Sequence, residues 1–363
     1  MSAPRTIDEV KNDIRDRVGH RAPFLHADKD ESEQALARIP DFQGETWAAA
    51  WNALGAKWQD RAIAAEKAGN AAAAKSAYLK SYGYYGIARH PFPSTPGKHH
   101  GYLKTREMFL AASKYFDIPV EKVAIPFQGK AIVGHLRLPR QLPAPMIMHW
   151  GGIDNWKEER HSFGENFVKQ GWGCFIIDSP GTGECPMSAG PDAHQVHLAV
   201  LEYLLARPEV DANKIAAVGA SFGGHWSTKL AHLAPDRLRA AVNWGGGIHY
   251  FFQPEWQERS RHADSYLFDL IEARANLFGK KTFDELCAVM PALSLKDSGL
   301  LDQPCAPLLI VNGKEDKQVP LEDFYLLLEH GQPKTIRLFP GGHMGAISNI
   351  MKTVVDWLHL KLD

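Results

Sequence analysis

The stretch Gly219-Ala220-Ser221-Phe222-Gly223-Gly224 constrains the fold of this chain more than any other, because of what flanks it. Upstream runs Ile215-Ala216-Ala217-Val218, short, apolar and strand-like; downstream, His225 to Leu233 reads as a helix. A serine on a tight turn between a buried strand and a helix is a nucleophile elbow. Gly219 and Gly223 lack a Cβ, so the chain can turn sharply and lift the Ser221 hydroxyl clear of a sheet. The helix that follows aims free N–H groups and its positive dipole end at the place where an oxyanion would form.

A serine hydroxyl is a weak nucleophile until a base takes its proton, and that base must be held in one tautomer. The elbow therefore requires an acid and then a histidine further along. Leu308 to Gly313 is an apolar strand ending in a turn, followed by Lys314-Glu315-Asp316-Lys317-Gln318-Val319-Pro320. Carboxylates at the C-terminal end of such a strand sit on the rim where Ser221 would emerge. Glu315 and Asp316 are both candidates, and the strand-Gly-x-x-Asp-x-x-Val-Pro spacing favours Asp316. The next apolar run, Thr335 to Phe339, leads into Pro340-Gly341-Gly342-His343-Met344-Gly345, ahead of a terminal helix Ile347–Leu360. Among 17 histidines, His343 stands out by position, flanking glycines and chain order. The order Ser221, Asp316, His343 is that of the α/β-hydrolases.

The oxyanion donors follow from the same logic. Phe222 N–H, beside the nucleophile, is the first. The second comes from the loop after the third strand, here Gly151-Gly152-Ile153-Asp154 after the strand that ends at Trp150, so it is Gly152 or Ile153 N–H. Asp154 is expected to brace this loop or its neighbour Lys157.

Before residue 118 the patterns are helical: Ile7–Val18, Thr46–Ala68, Ala71–Ala88 with Asn70 as N-cap, and Tyr102–Tyr115. The third carries Tyr78, Tyr82, Tyr84 and Tyr85, read either as packing between helices or as partial lining of a substrate pocket. From residue 119 strands alternate with helices, the signature of a mostly parallel sheet. Val123–Phe127 and Ala131–Leu138 flank Gln128-Gly129 as a hairpin, and helices are expected over Glu158–Gln170 and Ala193–Ala206. Residues 247–299 break that rhythm with an aromatic-rich start and short helical stretches such as Phe283–Met290. The expected fold is α/β: a mostly parallel sheet flanked by helices (119–246 and 300–363), an N-terminal helical domain (1–118) and a helical cap insertion (247–299).

These residues resemble a subgroup of the α/β-hydrolases that includes 2,6-dihydroxypseudooxynicotine hydrolase, the Ayg-type polyketide-shortening hydrolases and the FrsA-like esterases. The likeness rests on Gly151 to Glu159 after the third strand, Asp178 to Glu184 after the fourth, Trp244-Gly245-Gly246 after the sixth, and Asp316-x-x-Val319-Pro320-Leu321 after the seventh. It implies hydrolysis of a carbon–carbon bond beside a ketone in an aromatic or polyketide-like substrate. The alternatives are a carboxylesterase, lactonase or thioesterase with the same triad, and, more remotely, a non-catalytic binding protein. Members acting on carbon–carbon bonds use an extra cap carboxylate, for which Glu255 is the candidate here. Trp150 and Tyr250 are further candidate substrate contacts. The resemblance also implies a homodimer.

Composition agrees with a small-molecule enzyme. With 41 basic and 42 acidic residues the formal net charge is −1, which gives no footprint for nucleic acid or an anionic membrane. The N-terminal residues show no apolar signal core, and Cys174, Cys185, Cys287 and Cys305 lack CxxC spacing, so a cytoplasmic protein with reduced thiols is expected. No P-loop, dinucleotide glycine pattern or HExxH is present, and no cofactor or metal is expected. A metal site at His90, His99 and His100 would lack carboxylate or thiolate partners.

Overall fold

The computed structural model describes residues 5–261, 266–330 and 334–363. They form two compact units: a helical one reaching to Val120 and including Tyr266–Leu270, and an α/β one made of the remainder. Tyr266–Leu270, expected within the cap insertion, thus fold with the helical unit, because Leu267 and Phe268 supply apolar surface to its core.

The helical unit contains helices Ile7–Arg17, Lys29–Leu36, Gly44–Lys67, Ala71–Arg89 and Pro96–Ser113. Thr6 and Glu9 close a capping box on the first, Asn70 accepts from Ala73 N–H on the fourth, and Thr95 with Pro96 opens the fifth. Lys29–Leu36 is capped by Asp28, and its charged run Lys-Asp-Glu-Ser-Glu hides it from a hydrophobic-pattern reading. Trp47, Trp51 and Tyr84 fill one apolar cluster, while Tyr78, Tyr82, Tyr85 and Phe109 fill a second. The tyrosine hydroxyls are spent inside the unit: Tyr84 donates to Glu31 at 2.6 Å and Tyr78 to Glu66 at 2.7 Å. Lys57 and the Trp58 indole also donate to Glu31, at 2.7 and 2.8 Å. These four tyrosines are packing residues, and the hydroxyls of Tyr78 and Tyr84 are satisfied, as burial demands.

In the α/β unit eight strands form one sheet: β1 (Glu121–Phe127), β2 (Lys130–Arg137), β3 (Ala144–Trp150), β4 (Gly173–Ile177), β5 (Val210–Ala220), β6 (Ala240–Trp244), β7 (Leu308–Gly313) and β8 (Lys334–Phe339). Their order is β1-β2-β4-β3-β5-β6-β7-β8. The β1–β2 hairpin turns at Gln128 and Gly129, both with positive φ, and β2 runs antiparallel to β4; every other pairing is parallel. Strands β4, β6 and β7 are buried end to end, as expected where helices cover a parallel sheet. Helix His161–Val168 contacts β4, Gln195–Leu205 contacts β1 and β5, Phe222–Leu233 contacts β5 and β6, and Ile347–Leu362 contacts β5, β6 and β7. The expected helix from Glu158 instead begins as a 3-10 turn, Lys157–Arg160, before His161–Val168.

Parallel register brings Trp150, Ala220, Trp244, Gly313 and Phe339 to one edge of the sheet. The chain order reverses about β3 and β5, and ligands of open α/β sheets bind outside the strand ends at such a switch. After β6, residues 248–251 are gathered by Asp323, whose buried carboxylate accepts from Ile248, His249, Tyr250 and Phe251 N–H at 2.9, 2.9, 2.7 and 3.1 Å. All four cysteines are free thiols. No helix among the described residues is long and apolar enough to cross a membrane.

Candidate active site

Ser221 is the N-cap of helix Phe222–Leu233 and lies at φ 54°, ψ −130°, a conformation that costs a non-glycine residue about 1–3 kcal/mol. Two backbone bonds hold it there, Ser221 N–H to Trp244 O and Gly224 N–H to Ser221 O, both 2.7 Å. The neighbouring glycines serve by lacking bulk, since neither has positive φ. A Cβ on Gly219 would lie 2.0 Å from Gly223 O, and one on Gly223 would lie 2.5 Å from Gly151 O. The turn closes because strand end, helix start and the β3 loop touch through bare backbone.

Ser221 Oγ lies 2.8 Å from His343 Nε2, and His343 Nδ1 lies 2.7 Å from Asp316 Oδ2. An ionised carboxylate only accepts, so Nδ1 carries the proton and Nε2 is the free base facing the serine hydroxyl. Asp316 is saturated: Oδ2 also accepts from Asn312 Nδ2 at 2.6 Å, and Oδ1 from Gln318 and Val319 N–H at 2.7 and 3.1 Å. Burial works to raise its pKa, but the His343 ring and these donors outweigh burial and hold it below the usual carboxylate range. The adjacent Glu315 is exposed and instead fastens the histidine loop, exchanging backbone and side-chain bonds with Gly341 at 3.0 and 3.1 Å.

Phe222 N–H opens the helix and has no intrahelical acceptor. Gly152 lies beside it: a Cβ there would sit 2.7 Å from Ser221 Cβ, 2.9 Å from Ser221 Oγ and 3.4 Å from Phe222 N. Ile153 follows, buried, its carbonyl accepting from the Trp156 indole at 3.2 Å. Ser179 Oγ donates to Gly151 O at 2.6 Å and steadies the loop from β4.

Lys157 anchors this loop from beneath. Its buried ammonium meets Glu158, Asp178 and Glu184 at 2.8, 2.9 and 2.9 Å. The charge of Asp154 acts on the buried Arg160, which donates to Asn155 Oδ1 and to His149 Nε2, both at 3.0 Å. Burial and the Asp178 charge push the Glu158 carboxyl up, against the pull of Lys157.

The three candidate substrate contacts differ in their exposure. Trp150 is fully buried, its indole N–H donating to Gly223 O at 2.8 Å and its ring against His197 at 4.3 Å. It supports the elbow from behind and has no surface to offer a substrate. Tyr250 is exposed in the turn that Asp323 holds. Glu255 is exposed in the first turn of helix Pro254–Arg259. Burial raises the nearby Cys287 thiol, and the charges of Asp284, Glu258 and Glu255 add to that. Asn312 and Asp323 are not distinguished by the sequence pattern, because each sits inside an otherwise ordinary strand or helix.

No group of three or more His, Cys, Asp or Glu among the described residues is arranged to hold a metal ion. His90 is buried, whereas His99 and His100 are exposed.

A family model described as "Esterase FrsA-like" matches residues 5–362. The chain belongs to the FrsA-like esterase family. It is similar to Esterase FrsA of Photobacterium profundum, 26% identical over 343 residues, covering 91% of this chain and 80% of that protein. Esterase FrsA of Vibrio vulnificus is 27% identical over 301 residues, covering 80% and 70%. Among solved structures, 2,6-dihydroxy-pseudo-oxynicotine hydrolase aligns with a TM-score of 0.78 at 21% identity, covering 97% of this chain and 95% of that one. AbyA5 aligns with a TM-score of 0.76 at 21% identity, covering 98% and 95%. At these identities the structures speak for the fold alone, and that fold is the α/β-hydrolase fold. This FrsA-like chain is therefore an enzyme of the hydrolase class.

Proposed function

We propose that this chain is a serine esterase in which Ser221 is the nucleophile, His343 the base and Asp316 the orienting acid. The observation that carries this reading is the unbroken run of short contacts from Ser221 Oγ through His343 to Asp316, 2.8 and 2.7 Å. Ser221 Oγ attacks the ester carbonyl carbon while its proton passes to His343 Nε2. The carbonyl oxygen becomes an oxyanion received by Phe222 N–H and by Gly152 or Ile153 N–H. Collapse expels the alkoxide, which takes the proton from His343 and leaves Ser221 acylated. Water then repeats the sequence, with His343 again as base, and releases the acid. No step calls for a cofactor.

Cleavage of a carbon–carbon bond beside a ketone, the reading the sequence favours, asks for one thing more, a group that protonates a carbanion-like leaving group. Glu255 is the candidate for that group, and its exposure on helix Pro254–Arg259 weighs for the ester. The esterase names of the family and of the curated relatives support the same side. We also propose residues 247–299, apart from Tyr266–Leu270, as a cap, a cytoplasmic location for an enzyme with four free thiols, and the homodimer implied by resemblance. Product analysis by mass spectrometry on aryl esters and aryl β-diketones tests the function. Acid and alcohol from the esters, with the diketones intact, is the expected result; cleaved diketones with intact esters would reverse it.

A further inference from the structure

Asn312 occupies a position that the triad alone does not explain. It is fully buried at the end of β7, one residue before Gly313, and its carboxamide is divided between two loops. Nδ2 donates to Asp316 Oδ2 at 2.6 Å, the same oxygen that His343 Nδ1 faces. Oδ1 accepts from Met344 N–H, immediately after His343, at 3.0 Å. Met344 has φ 68°, left-handed for a residue with a long side chain, and its carbonyl accepts from the Trp244 indole at 3.0 Å. Both polar groups of the Met344 backbone are thus held by side chains from the ends of β6 and β7. A backbone so placed would relax if released, and His343 would move with it.

We infer that Asn312 is a positioning residue for the proposed reaction, fixing His343 and Asp316 through one amide. This rests on the triad reading. A carboxamide suits the task because it offers a donor to the carboxylate and an acceptor to the N–H in one rigid plane. Leucine would fill the volume and serve neither. Aspartate would keep the acceptor but lose the donor and add charge. The titratable groups facing Asn312 are Asp316 and His343; Trp244 and Gly245, from the end of β6, bring no charge, and Lys314, Glu315 and Lys317 are exposed.

The test uses the full chain with p-nitrophenyl butyrate, Asn312→Leu and Asn312→Asp, assayed well below each melting midpoint. Active serine is counted with a fluorophosphonate. Both variants are expected to lose about 10- to 100-fold in kcat per folded molecule with KM within about twofold, since misplacement costs the chemical step and not binding. In Asn312→Asp the added negative charge favours the imidazolium. The acid limb of kcat/KM, which needs neutral His343, should therefore move up by about one pH unit. A merely structural residue would lower the melting midpoint and leave kcat and the limb in place, and that result overturns the inference. Ser221→Ala is assayed in parallel. If it retains turnover, the triad reading has failed; if it is dead while both Asn312 variants keep wild-type kcat and limb, only the role of Asn312 has failed.

Discussion

The indole N–H of Trp150 donates to the carbonyl oxygen of Gly223 at 2.8 Å, tying the end of β3 to the first turn of the helix that Ser221 caps. The same nitrogen would lie 2.8 Å from a Cβ on Gly219. A tryptophan and two glycines thereby fix the serine from behind, and the hydroxyl is left to point outward. The elbow is held by packing beneath the sheet edge as well as by its own backbone.

Ser221→Ala is expected to abolish ester turnover by about 10³-fold or more while leaving the melting curve near that of the parent. Initial rates on purified protein, with circular dichroism as the fold control, measure both. A fluorophosphonate adduct on the parent and none on the variant would place the reactive oxygen at residue 221.

The two neighbouring carboxylates should separate cleanly. Asp316→Asn keeps its oxygen for the Gln318 and Val319 N–H groups and turns an NH2 donor toward His343 Nδ1, forcing the wrong tautomer, and is expected to cost about 10³- to 10⁴-fold in kcat. Glu315→Gln loosens one contact to Gly341 and should cost less than about fivefold. The ranking of the two kcat values decides, and the reverse order would move the acid to Glu315.

Asp316 also makes stability depend on pH in a defined direction. Its folded pKa lies below that of the unfolded chain. The stabilisation is therefore complete above the unfolded value near ~4 and is lost as pH falls through the lower folded value. Asp316→Asn lacks this contribution. Melting midpoints of parent and variant should differ most at neutral pH and converge on acidification; a gap constant from about pH 7 to about pH 3 would contradict the assignment.

Removing the Asp323 carboxyl should be structural in effect. Asp323→Ala strands four N–H groups of residues 248–251 and is expected to destabilise the fold by about 3 kcal/mol or more. Urea unfolding reads this directly. Exhaustive chelation, by contrast, should leave turnover of p-nitrophenyl butyrate unchanged, because the proposed chemistry uses protein groups throughout.

The parts of the site legible in the sequence are those at strand ends in a fixed chain order. Ser221, Asp316 and His343 each follow an apolar run and lie on or beside a turn, so position in the pattern stands in for position in space. Trp150 is misplaced by the sequence pattern because a strand buried on both faces carries no alternation to say which way its side chains point. Lys157 stands just ahead of the expected helix from Glu158, and its local sequence does not show that three carboxylates close around it in the interior. Asn312 and Asp323 look like a strand terminus and a helix acid, and only the fold shows what backbone they hold. Tyr266–Leu270 fold with a unit more than a hundred residues earlier in the chain, a pairing that no local pattern encodes.

The positive φ of Ser221 means that reactivity and durability are opposed at a single residue. Glycine tolerates that backbone, so a Ser221→Gly protein would shed most of the strain and recover about 1 kcal/mol once its greater freedom when unfolded is subtracted. The dead enzyme would outlast the living one on heating. A chain diverging without selection for turnover would drift toward such a residue, and the serine retained at position 221 is one that folding alone would not choose.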